Sequence, residues 1–357
     1  MSNPERILIR PFRFDDLLAL VEFWNKAFAD RRNFYSLTAA DFQNRILNCT
    51  AFDPQGLILA WQEGPATRLR DSQVRDSQVQ YSQPRLVGIA HALRPAPRSG
   101  LYAKWEARHC LALLYVDPSH RNQGIGSRLL RTAENWLYYC PVHVGGAGQP
   151  CYGTLEGPRP PFFGSSQRLG VGIQDRSLLN FLTQRGYHIV DPGDISMRLK
   201  LTPRPEPELP DLEGIGLKIV PVSNLMPFGG EEPEGREEYT LWGDNGGEPY
   251  RGYVLVTGDN LLQAHISWYP MRQPRAAAIA GFWVAPRLRE HGLGRYLLDR
   301  ALYDLVHSQP PWGGYDTVEV QTHLVHHAKA AAFYERRGFV TEMAWVNLAK
   351  ECAIRGV

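Results

Sequence analysis

Along the first part of the chain, apolar positions change period in a regular order. In "RILIRPF" they alternate, and in "DDLLALVEFWNKAF" they recur at helical spacing behind an aspartate cap, so a strand should feed an amphipathic helix. "TAADFQNRIL" reads as a second helix and "GLILAWQ" as the next strand. "RLVGIAHALR" and "ARHCLALLYVDP" follow as neighbouring strands, and "NQGIGSRLLRTAENWLYY" then puts Leu129, Leu130, Ala133 and Leu137 on one helix face. The strand "PVHVGG", a Gly/Pro-rich loop over 147–170, the helix "DRSLLNFLTQRG" and two short strands, "YHIV" and "ISMRLKL", complete this half. Between the early strands, "RDSQV" at 70–74 is duplicated at 75–79. Polar and without a core-facing pattern, it reads as a hairpin tip or mobile loop.

Pro203, Pro205, Pro207 and Pro210 can continue neither a helix nor a sheet, so 201–213 reads as a stiff linker between a domain over 1–200 and a second over 214–357. The plan then repeats. Strands are expected at "GLKIVPV", "YRGYVLVTG", "NLLQAHISWYP" and "AAIAGFWVAP", followed by the helix "GLGRYLLDRALYDLVHS", the strand "DTVEVQT", the helix "AKAAAFYERRG" and a strand in "MAWVNLA". Each half is α/β, with strands and helices mixed in the order of a two-layer fold. The repeat is unequal. Between "IVPV" and "YRGYV" there is room for little more than one helical turn where the first half has two helices. One face of the second sheet is therefore expected to lean on the first domain.

One short pattern occurs in both halves. Arg121, Gly124 and Gly126 in "HRNQGIG" match Arg289, Gly292 and Gly294 in "LREHGLG", and each arginine comes five residues after the valine of a Val-x-Pro: Val116-Asp117-Pro118 and Val284-Ala285-Pro286. Glycine lets successive backbone N–H groups turn toward one point at a helix N-terminus, where free amides and the helix dipole favour an anion. The arginine can add a charge-assisted contact, and together they suit a diphosphate. No GxxxxGK[ST] occurs, and neither turn gives GxGxxG after the first strand of a βαβ unit, so P-loop and Rossmann readings fail on context.

Strand, Val-x-Pro, RxxGxG and helix resemble the acyl-CoA-binding motif of the GNAT acetyltransferase superfamily, written [QR]xxGx[GA]. "IRPFRFDDLLALVEFWNKAF" resembles that family's first strand and helix, and "AKAAAFYERRGF" its closing motif AxxLYxxxGF. The tandem arrangement is similar to that of the mycothiol synthases. The resemblance implies two tandem GNAT-like domains, each a mixed sheet whose fourth and fifth strands splay to admit the pantetheine arm of an acyl-CoA, acetyl-CoA being the expected donor. The implied binding residues are Leu114, Val116, Arg121, Asn122, Gln123, Gly124, Ile125, Gly126 and Ser127 in the first half. In the second they are Phe282, Val284, Arg289, Glu290, His291, Gly292, Leu293, Gly294 and Arg295. His327 stands where the family often has Asn, and Asp175 stands there in the first half.

The same resemblance implies an amine attacking the thioester directly and a tyrosine protonating the departing thiolate. Tyr334 occupies that position in the second half. Leu182 occupies it in the first and cannot donate a proton, so the second domain is expected to be catalytic and the first supporting or regulatory. For a general base, Glu319 is the nearest carboxylate. It alternates with Val318 and Val320 and so shares a strand face with Gln321 and His323, a face that could instead be merely polar or meet the first domain. His323, His326 and His327 have no acidic neighbour in sequence, and the family needs no metal, so none is expected. His91 and His109 read as structural.

Composition limits the remaining classes. A net charge of +2 implies neither a nucleic-acid surface nor an acidic tail. No apolar run approaches the roughly 18 residues of a membrane span, and the start lacks a secretion signal, so a cytoplasmic protein without a membrane partner is expected. Five cysteines, Cys49, Cys110, Cys140, Cys151 and Cys352, without CxxC spacing, read as reduced thiols. Two functions remain: an acyl-CoA-dependent N-acetyltransferase acting on a small-molecule or peptide amine, and a non-catalytic acyl-CoA sensor or scaffold using both turns.

Overall fold

A computed structural model describes residues 6–30, 34, 36–49, 52–63, 66–68, 79–81, 84–94, 109–138, 141–145, 170–208, 210, 217–223, 251–257, 262–271, 273–289 and 291–351. The "RDSQV" duplication (apart from Val79), the loop over 147–169, the segment 224–250, Glu290, Cys140, Cys151 and Cys352 lie outside these residues. The first half contains β1 (Ile7–Pro11), α1 (Leu17–Ala27), α2 (Ala39–Phe42), β2 (Leu57–Gln62), β3 (Ala66–Arg68), β4 (Val79–Tyr81), β5 (Arg85–Leu93) and β6 (Cys110–Val116). It continues with α3 (Ile125–Leu137), β7 (Val142–Val144), β8 (Val171–Gly172), α4 (Arg176–Thr183) and β9 (His188–Lys200). The second half contains β10 (Leu217–Ser223), β11 (Arg251–Thr257), β12 (Leu262–Pro270), β13 (Ala276–Val284), α5 (Leu293–His307), β14 (Thr317–His323), α6 (Ala328–Glu335) and β15 (Val340–Lys350).

Local chemistry accounts for several boundaries. Thr38 caps α2 in a reciprocal pair with Asp41, its hydroxyl accepting the Asp41 N–H at 3.1 Å. The aspartate expected to cap α1 does something else. Asp16 accepts both terminal nitrogens of Arg10 on β1, at 2.6 and 2.7 Å, and the Arg13 N–H at 2.8 Å, fastening the helix entry to the sheet. β3 and β4 pair antiparallel as the stem on which the duplicated segment is inserted. The linker lies along α5, where the Arg204 carbonyl meets His307 Nε2 at 3.0 Å and Glu206 pairs with Arg300.

The two short strands expected at the end of the first half are one thirteen-residue strand, β9, and its length follows from its place in the sheet. All strands but β3 and β4 form one sheet, in the order β1-β2-β5-β6-β7-β15-β9-β14-β13-β12-β11-β10, with β8 also on β15. The last strand of the second half thus lies between β7 and β9 of the first. The last strand of the first half in turn lies between β15 and β14 of the second. The halves exchange closing strands, so their contact is a hydrogen-bonded ladder and not only the covering of a bare face.

The cores are shared in the same way. Ile195 and Met197 of the first half, with Leu201 at the start of the linker, are buried among Leu297, Leu302, Val318 and Val320 of the second. Val346 and Leu348 of the second half are buried among Leu129, Leu130 and Leu182 of the first. A third cluster on the other face of the first sheet packs α1 and α2 through Leu20, Trp24, Phe28 and Phe42. Each fully buried aliphatic side chain contributes about 1.5–3 kcal/mol, so each half draws stability from the other's chain. Cys49 and Cys110 are free and buried, and burial pushes the Cys110 thiol up to about 12, in keeping with unreactive thiols.

Candidate active site

The two Gly-rich turns hold their first glycine in the same way, although Arg121 is extended and Arg289 helical. Gly124 and Gly292 stand at the N-caps of α3 and α5 with φ of 79° and 74°, the left-handed conformation that favours glycine, and a Cβ at either would meet no atom within 4 Å. Neither helix start is closed by a side-chain cap, which leaves the first-turn amides available to an anion. Two residues on, a Cβ at Gly126 would lie 3.5 Å from Phe181 and 3.6 Å from Val116. At Gly294 it would lie 3.5 Å from Phe282 and 3.6 Å from Val284. At both positions a Cβ would be in ordinary contact, so close packing alone does not demand glycine there.

The arginines have a part that their spacing did not announce. Arg121 Nε donates to the Val116 carbonyl at 3.0 Å, and Arg289 Nε donates to the Val284 carbonyl at 3.0 Å. The five-residue interval is what lets each guanidinium hold the last carbonyl of its own strand. Arg185 Nη2 donates to Ser127 Oγ at 2.6 Å, adding a second cation to the first cradle. Ile125 and Leu293 are buried beneath the turns, while Asn122 takes φ 62° and, with Gln123, His291 and Arg295, is exposed.

Both parallel pairs part where the resemblance places the acyl-CoA arm. β13 pairs with β14 from Ala276–Thr317 to Ile279–Val320 and no further, leaving Phe282 and Val284 beyond the ladder. β6 meets β7 only at Cys110–His143, leaving Leu114 and Val116 unpaired on that side. Phe282, Leu114 and Val116 are accordingly only half-buried although they lie in mid-sheet.

Tyr334 lies on α6 beside this opening, with its ring 6.2 Å from Phe282, 5.7 Å from Phe333 and 5.3 Å from Phe339. Burial pushes its phenol well above the ordinary range, so the group is protonated at neutral pH, the form an acid requires. Leu182 holds the matching place on α4, fully buried. Gly186 and Gly338 follow at the same interval with φ of 88° and 85°, so the two closing motifs end in the same left-handed glycine and differ in chemistry.

On the face of the second sheet away from α5 and α6, β14 presents Glu319, Gln321 and His323, all buried. Asp194, Ser196 and Arg198 of β9 stand opposite them in register. Arg198 Nη2 donates to Glu319 Oε2 at 3.4 Å and also faces Glu342, so the first half supplies a cation to the candidate base. Farther along the same face are His265 and Ser267 on β12, which sequence reasoning passed over. They lie over Gly281, and a Cβ there would be 3.2 Å from His265 Nε2 and 3.3 Å from Ser267 Oγ. Burial pushes His265 down to about 3, and its Nδ1 and the Ser267 hydroxyl are buried without a hydrogen-bond partner. Their alternation in "QAHISWY" was the available signal.

His327 precedes α6, exposed, with its N–H on the His323 carbonyl at 2.9 Å. Asp175 caps α4 by accepting the Leu178 N–H at 3.1 Å. His323 Nε2 lies 2.6 Å from Asp191 Oδ1 on β9, so the fold gives the histidine group an acidic partner that its own stretch of sequence lacks. Burial raises the Asp191 carboxyl. The His323 hydrogen bond, the Gly193 amide and the nearby imidazoles outweigh it and hold Asp191 below the usual carboxylate range.

Paired Gly-rich turns and parted parallel strands are the arrangement that the resemblance to the acetyltransferases implies. Residues 221–339 match the model of the acetyltransferase (GNAT) family, and residues 84–152 match that of the acetyltransferase (GNAT) domain. The chain carries two GNAT domains in tandem. Among solved structures it is similar to a tandem GNAT protein from the clavulanic acid biosynthesis pathway, in a form without AcCoA. The two are 16% identical over 97% of this chain and 98% of that one, with a TM-score of 0.60. It is also similar to a GCN5-related N-acetyltransferase from Sphaerobacter thermophilus, 16% identical over 98% and 97% of the chains, TM-score 0.54. A third likeness is to the GCN5-related glucosamine N-acetyltransferase region of a fungal multi-domain GH3 beta-N-acetylglucosaminidase. There the identity is 15% over 97% of this chain and 38% of that one, TM-score 0.57. None of the curated proteins compared matches by sequence. No helix among the described residues is long and apolar enough to cross a membrane.

Proposed function

We propose that this acetyltransferase moves an acetyl group from acetyl-CoA to an amine nitrogen, with the chemistry in the second half and a supporting, acyl-CoA-binding role for the first. The observation that carries this reading is the contrast at one position. Tyr334, protonated beside parted strands, has Leu182 as its counterpart. When bound, the donor supplies a thioester carbonyl open to attack. The uncapped amides of α5 and the Arg289 guanidinium would hold its diphosphate, and Phe282 and Val284 would flank its arm.

The amine lone pair forms the new C–N bond as the C–S bond breaks. Tyr334 gives its proton to the thiolate, and the proton leaving the amine goes toward the polar face of Glu319, Gln321 and His265. Glu319, held by Arg198, is the base assigned to that face. The acceptor is accordingly a small molecule or peptide presenting an amine.

The test is release of free CoA thiol from acetyl-CoA in the presence of pooled amines, with Tyr334→Phe as the comparison. Loss of the hydroxyl should leave the fold and CoA affinity intact and lower turnover by roughly 10²–10⁴-fold. Unchanged turnover would remove Tyr334 from the mechanism. CoA binding with no amine-dependent thiol release would favour the sensor reading, for which Leu182 speaks in the first half.

A further inference from the structure

The entry into α6 is held from the first half of the chain. Four residues, Leu324 to His327, join β14 to α6, and all four of their N–H groups are bound. Leu324 donates to the Gly193 carbonyl on β9 at 2.7 Å, and His327 donates to the His323 carbonyl at 2.9 Å. Val325 and His326 both donate to His323 Nδ1, at 3.1 and 3.0 Å. A neutral imidazole carries one proton, so two donors on Nδ1 place that proton on Nε2. It is donated to Asp191 Oδ1 at 2.6 Å, an oxygen that also accepts the Gly193 N–H at 3.1 Å.

The packing enforces this arrangement. A Cβ at Gly193 would lie 2.1 Å from His323 Cε1, so only glycine leaves room for the ring against β9. α4 secures its own start through the Asp175 side chain, whereas α6 has no side-chain cap. The His323–Asp191 pair instead fastens the loop that leads into α6. Asp191, His323 and His326 also bring three metal-ligand atoms within 4.8 Å of one another. With its proton on Nε2 and its lone pair on Nδ1 engaged by two amides, the His323 ring offers no free lone pair to a cation.

We propose that Asp191, contributed by the first half, is a positioning residue for the second half's acid: through His323 it fixes the loop 324–327 and with it the placement of α6 and Tyr334. The inference rests on Tyr334 being the acid. It gives the first half a task in catalysis that needs no second acid.

The test uses the full chain, acetyl-CoA and the amine pool, with Asp191→Ala, Tyr334→Phe and the double variant. Asp191→Ala should lower kcat about 10- to 100-fold, the scale of a small misplacement of a catalytic group, with little change in KM for acetyl-CoA. In the Tyr334→Phe background the same change should cost nothing further, because the group it positions is gone. His323→Asn keeps an acceptor for the two amides and should retain more activity than His323→Leu. Independently of turnover, hydrogen exchange at amides 324–327 should quicken at least about tenfold in Asp191→Ala while α4 stays protected. Multiplicative losses in the double variant, or unchanged exchange at 324–327, would overturn the proposal. So would Zn²⁺ binding that Asp191→Ala abolishes. A Tyr334→Phe variant with full turnover would instead overturn the reading of Tyr334, whatever the exchange data show.

Discussion

Expressing 214–357 without the first half removes β9 from a sheet and a core that depend on it. The fragment loses Ile195, Met197 and Leu201, with relative exposures of 1%, 0% and 7%, from the cluster around Leu297 and Val320. At about 1.5–3 kcal/mol for each buried side chain, the loss is on the order of 5–9 kcal/mol. That is comparable with the roughly 5–15 kcal/mol by which a domain is stable at all. The seven register pairs between β14 and β9 go as well, leaving bare edges on β14 and β15. The fragment should therefore be aggregated or non-cooperative when followed by circular dichroism in urea, and should become soluble when residues 1–210 are co-expressed. A soluble fragment that unfolds cooperatively, with the full chain's activity, would refute the argument that the exchanged strand is indispensable.

Gly124→Val and Gly292→Val each put a side chain where nothing now stands within 4 Å, on a left-handed residue. Calorimetry should find two CoA sites in the parent chain and one in each variant; one site in the parent, indifferent to either change, would exclude the two-cradle reading. Because burial raises the Tyr334 phenol, its ionisation should cause no fall in turnover below about pH 10, the ordinary tyrosine range. An alkaline limb near pH 8 that disappears in Tyr334→Phe would contradict this. For Asp16, burial raises the carboxyl but the Arg10 and Arg13 contacts lower it further, so its folded value lies below the unfolded one. Its contribution is then present above about pH 4 and lost as pH falls through the folded value. Asp16→Asn should lower stability at pH 7 by about 1.5–3 kcal/mol, with the gap to the parent closing as acid protonates the folded carboxyl; a gap that persists once it is protonated would break the assignment.

Local periodicity made nearly every described element legible, down to helices α3 and α5 and the turns that start them. What it could not carry was partnership between strands. "MAWVNLA" reads as a strand whichever sheet receives it, because alternation defines a face and says nothing of the neighbour. The break expected inside β9 came from Pro192 and Gly193, residues that usually end strands; here each has a place. Pro192 falls where the register against β15 shifts and no pairing is made, and Gly193 makes way for the His323 ring. The candidate site divides in the same manner. The cradles and Tyr334 sit within single short stretches and could be read directly. Asp191 and Arg198 reach His323 and Glu319 from more than 120 positions away, so no window of sequence joins them.

The exchanged strands also bear on the order in which the chain can assemble. β7 and β9 leave a slot between them that only β15 fills, and the Val144–Leu348 pairing joins residues about two hundred positions apart. Contacts of such separation are slow to form, because the entropy of closing so large a loop must be met before the contact repays it. The first half, although synthesised first, cannot complete its sheet until β15 has left the ribosome. Until then it presents two open strand edges to whatever is nearby. For this chain the vulnerable interval therefore runs from the synthesis of β7 to that of β15, and a chaperone that shields β7 and β9 during that time would act on yield without touching the stability of the finished protein.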